Sequence, residues 1–323
     1  MIHPLPPGTR DVLPDEAREL RALSERLRGV FDGAGYGEVW TPALEYEDVL
    51  RRGDDEAGGA AYRLFDEHGR VLVLRSDPTL PIARLVSNRY ADAPMPLRLC
   101  YFAHAYRAID RGAAQAREFL QGGIELIGAP APDGDAEIVA VVLEALAAAG
   151  LRRHRIGLGD ASIYPLLLAQ AGVPDGARAT LLEHLVRRDM VALEVDVERL
   201  GLSPATRELL MTPATLRGGP EVLERARGPL AVAVENLLAI HQQIADRGGD
   251  ADRLIFDLGL AREMPYYTGA VFEVYDPAVG YTLGGGGRYD DLCGHFGRAL
   301  PAAGLALDVM RVHVAQLEEE RLG

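Results

Sequence analysis

The sequence predicts an α+β fold, an antiparallel sheet flanked by helices and interrupted by a helical insertion. Two observations carry this. Apolar residues alternate with period two in several short segments towards both ends of the 323-residue chain, as in half-buried strands. Between them, residues 174–248 follow a mostly helical pattern, with turns at GLSPAT and RGGPE. One domain is therefore expected over 1–173 and 249–323, with 174–248 inserted into it.

Each element follows from its local pattern. Residues 16–33 place apolar side chains at helical spacing. GYGEVWTPALE reads as a short strand closed by Pro42, and AYRLFDEHGRVLVLRSD as a hairpin about DEHG. DPTLPIARLVSNRY opens a helix near Asp77 or Thr79. PLRLCYFAHAYRA alternates as a strand, IDRGAAQARE is a loop, and FLQGGIELIG returns as a strand. Residues 135–151 are alanine-rich and helical, and RIGLGDASIYPLLLAQAGV reads as a strand and a helix. After the insertion the strands resume with AVFEVYD, GYTLGGGGRYDDL and AAGLALDV, and MRVHVAQLEEERLG is a helix. There is no internal repeat or low-complexity tract.

Composition narrows the function. No uninterrupted apolar run is long enough to span a bilayer. The opening MIHPLPPGTRDVLPDE lacks the basic-then-apolar order of a signal peptide. A cytoplasmic protein with no membrane partner is expected. Cys100 and Cys293 are the only cysteines and have no neighbours at ligand spacing, so buried reduced thiols are expected and no metal or cofactor site. Net charge is -14, and every Lys/Arg cation is an arginine. That excludes a P-loop lysine, a Schiff base and a lysine nucleophile. Anions must be met by arginine, histidine or backbone N–H groups, and the acidity disfavours a broad nucleic-acid surface. His104, His184, His241 and His313 lie in regular elements without metal spacing and are assigned to packing or surface roles.

Four segments offer chemistry. In SDPTLP, Asp77 and Thr79 stand where a strand meets a helix, either capping it or receiving an ammonium group with a hydroxyl beside it. Arg107, Arg111 and Arg117 surround a loop; Gln121 and Glu125 then share one face of a strand, which points either into a pocket or to solvent. Gly122 and Gly123 favour the pocket, because glycine in a strand marks close approach. GGGGRYDDL can cradle an anion by backbone N–H groups or form a flexible hairpin turn. AREMPYYTGAVFEV places Arg262 just before Tyr266 and Tyr267, which suits a small ligand with a carboxylate and a ring.

Together these segments resemble the catalytic domain of class II histidyl-tRNA synthetases, nearly end to end. PPGTRDVLP is similar to the N-terminal signature, GYGEVWTPALE to the dimer-forming motif 1, YRAIDRG…REFLQGGIELIG to motif 2, REMPYYTGAVFE to a histidine-specific motif, and GGGGRYDDL…AAGLALDVMRV to the strand leading into motif 3. The resemblance implies that Asp77, Thr79, Gln121 and Glu125 surround the amino end and ring of histidine. It also implies that Tyr266 and Tyr267 line the imidazole pocket and that Arg262 approaches the carboxylate.

Departures from the pattern matter as much. Where motif 2 carries a glutamate that reads adenine, this chain has Ile109. Where motif 3 has a glycine and a glutamate it has Asp308 and Met310, keeping Arg107 and Arg311 as remnant phosphate ligands. An added carboxylate beside a polyphosphate costs about 1–4 kcal/mol at contact range in a partly wet site. No anticodon-reading domain follows motif 3, so no tRNA is expected. This combination is similar to the regulatory subunits of ATP phosphoribosyltransferase. The resemblance implies a non-catalytic chain that partners a short-form catalytic subunit, with histidine as effector and a homodimer, formed around Pro42, within a hetero-oligomer. The alternative is a short histidine-activating ligase.

Overall fold

The computed structural model describes residues 4–53, 61–108, 116–226, 228–261 and 266–323. Helix α1 (Pro14–Gly33) begins with Pro14 at its first position, where the missing N–H costs nothing. It leads into β1 (Gly37–Glu38), β2 (Leu44–Tyr46) and the single turn α2 (Glu47–Leu50). The hairpin β3 (Arg63–Phe65) and β4 (Val71–Leu74) follows, with its turn held by Asp66 accepting from the backbone of His68 and Arg70. Next come α3 (Thr79–Arg89), the long pair β5 (Leu97–Tyr106) and β6 (Glu118–Ile127), α4 (Asp133–Ala148), β7 (Arg155–Asp160) and α5 (Ile163–Gln170).

Between residues 174 and 250 lie α6 (Asp175–Val186), α7 (Met190–Arg199), α8 (Pro204–Thr215), the two-residue β8 (Arg217–Gly218), α9 (Glu221–Glu224) and α10 (Ala231–Asp246). The chain then adds β9 (Leu254–Asp257), β10 (Ala270–Tyr275), β11 (Gly284–Arg288), β12 (Ala302–Asp308) and α11 (Val309–Leu322).

The large sheet runs β1-β5-β6-β12-β11-β10-β7-β9-β8, and β2-β4-β3 form a separate small sheet. Most neighbours are antiparallel, as the alternating strands predict, but β1–β5 and β7–β9 are parallel. Both parallel pairs join strands separated by long connections, which is the geometry that parallel pairing requires. Strand β9 was not anticipated: LIFD is a four-residue apolar run too short to show a period.

Two further expectations are corrected. GYGEVWTPALE is two strands in different sheets, since only Gly37–Glu38 pairs with β5 while Leu44–Tyr46 pairs with β4. Buried Arg75 fixes the break, donating to Thr41 O at 2.6 Å, Pro42 O at 3.2 Å and His104 O at 2.9 Å. Of the readings open for the glycine run the strand holds: it is β11, paired on both sides by β10 and β12. The nominally helical stretch also contributes β8, an edge strand on β9.

One face of the large sheet is covered by α1, α4, α10 and α11, whose apolar side chains (Leu23, Leu27, Phe31, Val142, Leu146, Leu237, Val312) form the main core. The other face carries a smaller cluster with α3, including Leu80, Ile82, Val86, Tyr266, Tyr289 and Leu292. Strand alternation sorts β11's end between them. Arg288 points to the helical face, where its Nε meets the buried carboxylate of Asp135 at 2.9 Å, and Tyr289 turns to the opposite face.

Candidate amino-acid site

Cross-strand register builds the floor of a cleft on the face opposite the helices. Glu125 lies opposite Gly304, and Gln121 opposite both Ala103 and Asp308. Gly287 pairs with Gly304, and Tyr101 with Gly123. Side chains on this face are therefore mostly small, with a few polar groups standing among them. A Cβ at Gly304 would collide with the Glu125 carboxylate, and one at Gly123 would lie 2.5 Å from the Tyr101 hydroxyl. Gly287 leaves room for the Tyr267 ring, 2.8 Å from where a Cβ would stand. The glycines of this face are vacated space for the site's own side chains.

The resulting small chamber is lined by Asp77, Thr79, Tyr101, Arg107, Gln121, Glu125, Tyr266, Tyr267 and Tyr289, over Gly304 and Ala306. Glu125 is 1% exposed. Its Oε1 accepts from Thr79 Oγ1 at 2.7 Å, and its Oε2 accepts from the Tyr289 hydroxyl. Burial raises the Glu125 carboxyl to about 8, against the pull of the Tyr289 and Thr79 hydroxyls. Asp77 Oδ1 accepts from Leu80 N at 3.2 Å at the start of α3, and the residue also lines the chamber. Burial raises its carboxyl too, and the Leu80 N–H and the Arg107 charge oppose the rise. Tyr266 lies 4.9 Å from Tyr267 with the rings tilted at 59°, and meets Tyr289 edge-on at 6.0 Å. Gln121 is buried with Oε1 lacking a partner.

A second chamber adjoins the first, sharing Arg107, Gln121, Gly285 and Ala306 with it, and adds Phe119, Thr282, Asp308 and Arg311. Arg107 lies over the Phe119 ring at 5.2 Å. Arg117 N donates to Gly8 O at 2.8 Å, fastening the N-terminal PPGTR segment over the start of β6.

Of the residues singled out in the sequence, Asp77, Thr79, Gln121, Glu125, Tyr266 and Tyr267 converge on the first chamber, Arg107 reaches both, and Arg311 lines only the second. Arg262, Ile109 and Arg111 lie outside the described residues. Tyr101 and Tyr289 were missed. Tyr289 follows the glycine strand in GGGGRYDDL; alternation gives its face, but only the alignment of distant strands brings it to Glu125. Cys100 and Cys293 are buried thiols pushed up to about 12 by burial, poor nucleophiles at neutral pH. His184 pairs with Asp196 at 2.9 Å, His313 with Glu19 at 2.9 Å, and His241 packs on Phe256. Among the described residues no cluster of His, Cys, Asp or Glu is arranged to hold a metal, and no helix is long and apolar enough to cross a membrane.

The family model for histidyl-tRNA synthetase matches residues 8–312. A protein of Symbiobacterium thermophilum named ATP phosphoribosyltransferase regulatory subunit is 43% identical over 98% of this chain and 81% of its own length. The chain belongs to the ATP phosphoribosyltransferase regulatory subunit family. A Moorella thermoacetica protein of the same name is 40% identical over 97% of this chain and 82% of its own length. Among solved structures, an ATP phosphoribosyltransferase regulatory subunit/histidyl-tRNA synthetase from Bacillus halodurans superimposes with a TM-score of 0.90 at 31% identity, covering 98% of this chain and 84% of that one. A histidine–tRNA ligase subunit from Alicyclobacillus acidocaldarius gives 0.85 at 33% identity, covering 99% of each. The class II synthetase-like α+β fold is shared with these structures.

Proposed function

We propose that the chain performs no chemistry of its own and acts as the regulatory subunit of ATP phosphoribosyltransferase, in the first step of histidine biosynthesis. It activates a short-form catalytic subunit and mediates feedback by histidine. The observation that carries this reading is the first chamber. Asp77, Thr79, Gln121 and Glu125 supply acceptors and donors for an ammonium group and a polar ring, and packed tyrosines form the wall. Arg107, with Arg262, would meet the carboxylate. Each buried polar group of a zwitterion left unpaired would forfeit about 1–3 kcal/mol, so a full set of partners selects strongly.

Feedback then reduces to linkage. Histidine inhibits only if it binds one state of the assembly better than another, and a coupling of about 1–3 kcal/mol suffices. The test is reconstitution. Adding the chain to a short-form phosphoribosyltransferase should raise the condensation of ATP with phosphoribosyl pyrophosphate, and histidine should suppress that gain. A catalytic subunit equally active with and without the chain would refute the assignment.

A second reading is kept by one observation: Arg107 and Arg311 still share the adjoining chamber. Two arginines could hold phosphates for a histidine-activating ligase. Histidine-dependent exchange of pyrophosphate into ATP by the chain alone would establish that reading, and its absence would remove it.

A further inference from the structure

The second chamber encloses about 120 Å³ and holds two arginines, ordinarily the makings of an anion site. The Arg311 guanidinium is already engaged. Arg311 Nη1 donates to Thr282 O at 2.8 Å, its Nε faces Asp308 Oδ2 at 3.3 Å, and its plane lies over Tyr281 at 5.2 Å. Arg107 is backed by Phe119, and its charge reaches Asp308. Asp308 is itself fixed. Its Oδ1 accepts from Met310 N at 3.0 Å and Arg311 N at 3.1 Å, capping the first turn of α11.

We propose that Asp308 is a built-in counter-anion, a carboxylate that fills the chamber's anion position and closes it to diphosphates and triphosphates. A polyphosphate reaching for Arg107 and Arg311 would meet the Asp308 carboxylate at contact range. The carboxylate cannot swing aside without stripping two N–H groups of the helix terminus of their acceptor. Burial raises the Asp308 carboxyl, while those N–H groups and the two arginines pull it back towards the ionised form. Asp308 thus sets the selectivity of the cleft: the first chamber remains free for an amino acid, and the second rejects polyanions. The inference rests on the chamber's own residues, whether or not the chain regulates a partner.

The test is calorimetric titration of the full chain with inorganic pyrophosphate, using neither histidine nor a partner. Asp308→Asn keeps an oxygen to cap α11 and removes the charge. It should bind pyrophosphate at least about tenfold more tightly than the unaltered chain, the modest end of what one like charge at contact distance exerts. Adding Arg311→Gln should abolish the gain. Asp308→Ser, which also caps, is the second variant should the first melt early. Identical titrations for the unaltered chain and both Asp308 variants, whether all bind or none does, would overturn the proposal. So would a gain that survives Arg311→Gln.

Discussion

Thr79 Oγ1 lies 2.7 Å from Glu125 Oε1, tying the first residue of α3 to the last third of β6 across the sheet face. Tyr289 holds the other carboxylate oxygen from the end of β11. Glu125 is thus oriented by two elements far apart in sequence, and its position, not only its charge, is built in.

Removing one of these holds should be measurable. Tyr289→Phe deletes a single donor to a buried carboxyl, a loss of about 1–3 kcal/mol. Histidine affinity, read by calorimetry, should fall roughly ten- to hundredfold. Tyr267→Phe should weaken it less and Glu125→Ala most, without loss of folding. Unchanged affinity in all three variants would refute the placement of histidine in this chamber.

How far this site was legible depends on which contacts are local. Gln121 and Glu125 sit four apart on one strand, so period two alone puts them on one face, and Asp77 and Thr79 follow from the strand–helix junction. Tyr101 and Tyr289 enter through cross-strand register, which depends on how distant segments align and leaves no local trace. The glycine run left strand and turn both open for a related reason. Glycine has little strand preference of its own, and β11 is a strand because β10 and β12 pair with it and Glu125 and Tyr267 need the vacated volume. Asp308 was visible as an extra carboxylate; its second task, capping α11, was not.

The raised carboxyl of Glu125 has a consequence for stability. Its folded value, about 8, exceeds the ordinary 4.5, so the unfolded chain surrenders the proton first. The contribution is intact below about pH 4, is lost progressively as pH rises, and is gone above about 8. Thermal melts of the ligand-free protein should therefore show the unaltered chain losing more stability than Glu125→Gln between pH 5 and pH 8. Parallel curves would mean that Glu125 is not buried in its protonated form.

Gly304→Ala tests the vacated floor. The added methyl would occupy the volume of the Glu125 carboxylate, which cannot retreat while Thr79 and Tyr289 hold it. Overpacking of this kind costs about 1–3 kcal/mol of stability. Histidine binding should be lost in the same variant, because the methyl stands inside the chamber. Denaturant unfolding and calorimetry together check both, and a variant that binds normally would show the floor to be more yielding than its glycine implies.

On the opposite face, Asp135 and Arg288 form a buried pair that joins α4 to β11, with Asp290 and Ala129 O as the guanidinium's further partners. Asp135→Ala leaves the arginine buried beside fewer acceptors and should cost about 3–5 kcal/mol in urea unfolding. Replacing both residues with apolar ones of similar volume should recover most of that loss, because the desolvation of both charges disappears with them.

The small sheet bears on assembly. Register places Leu44, Tyr46, Leu64, Leu72 and Leu74 on its outer face, while Glu45 and Val73 point inward and are buried. On that face Leu44 is 44% and Leu64 42% exposed, and Trp40, 84% exposed, lies just before Pro42. An apolar sheet face open to water on a chain of net charge -14 calls for a cover, and a second copy meeting it about a two-fold axis supplies identical chemistry. The expected outcome is a homodimer at micromolar concentration in analytical ultracentrifugation. Leu72→Glu, whose side chain points away from the core, should shift it to monomer while leaving the thermal melt of the large sheet cooperative. A chain that sediments as a monomer before any substitution would place the dimer contact elsewhere or exclude it, and the outer leucines would then await a different partner.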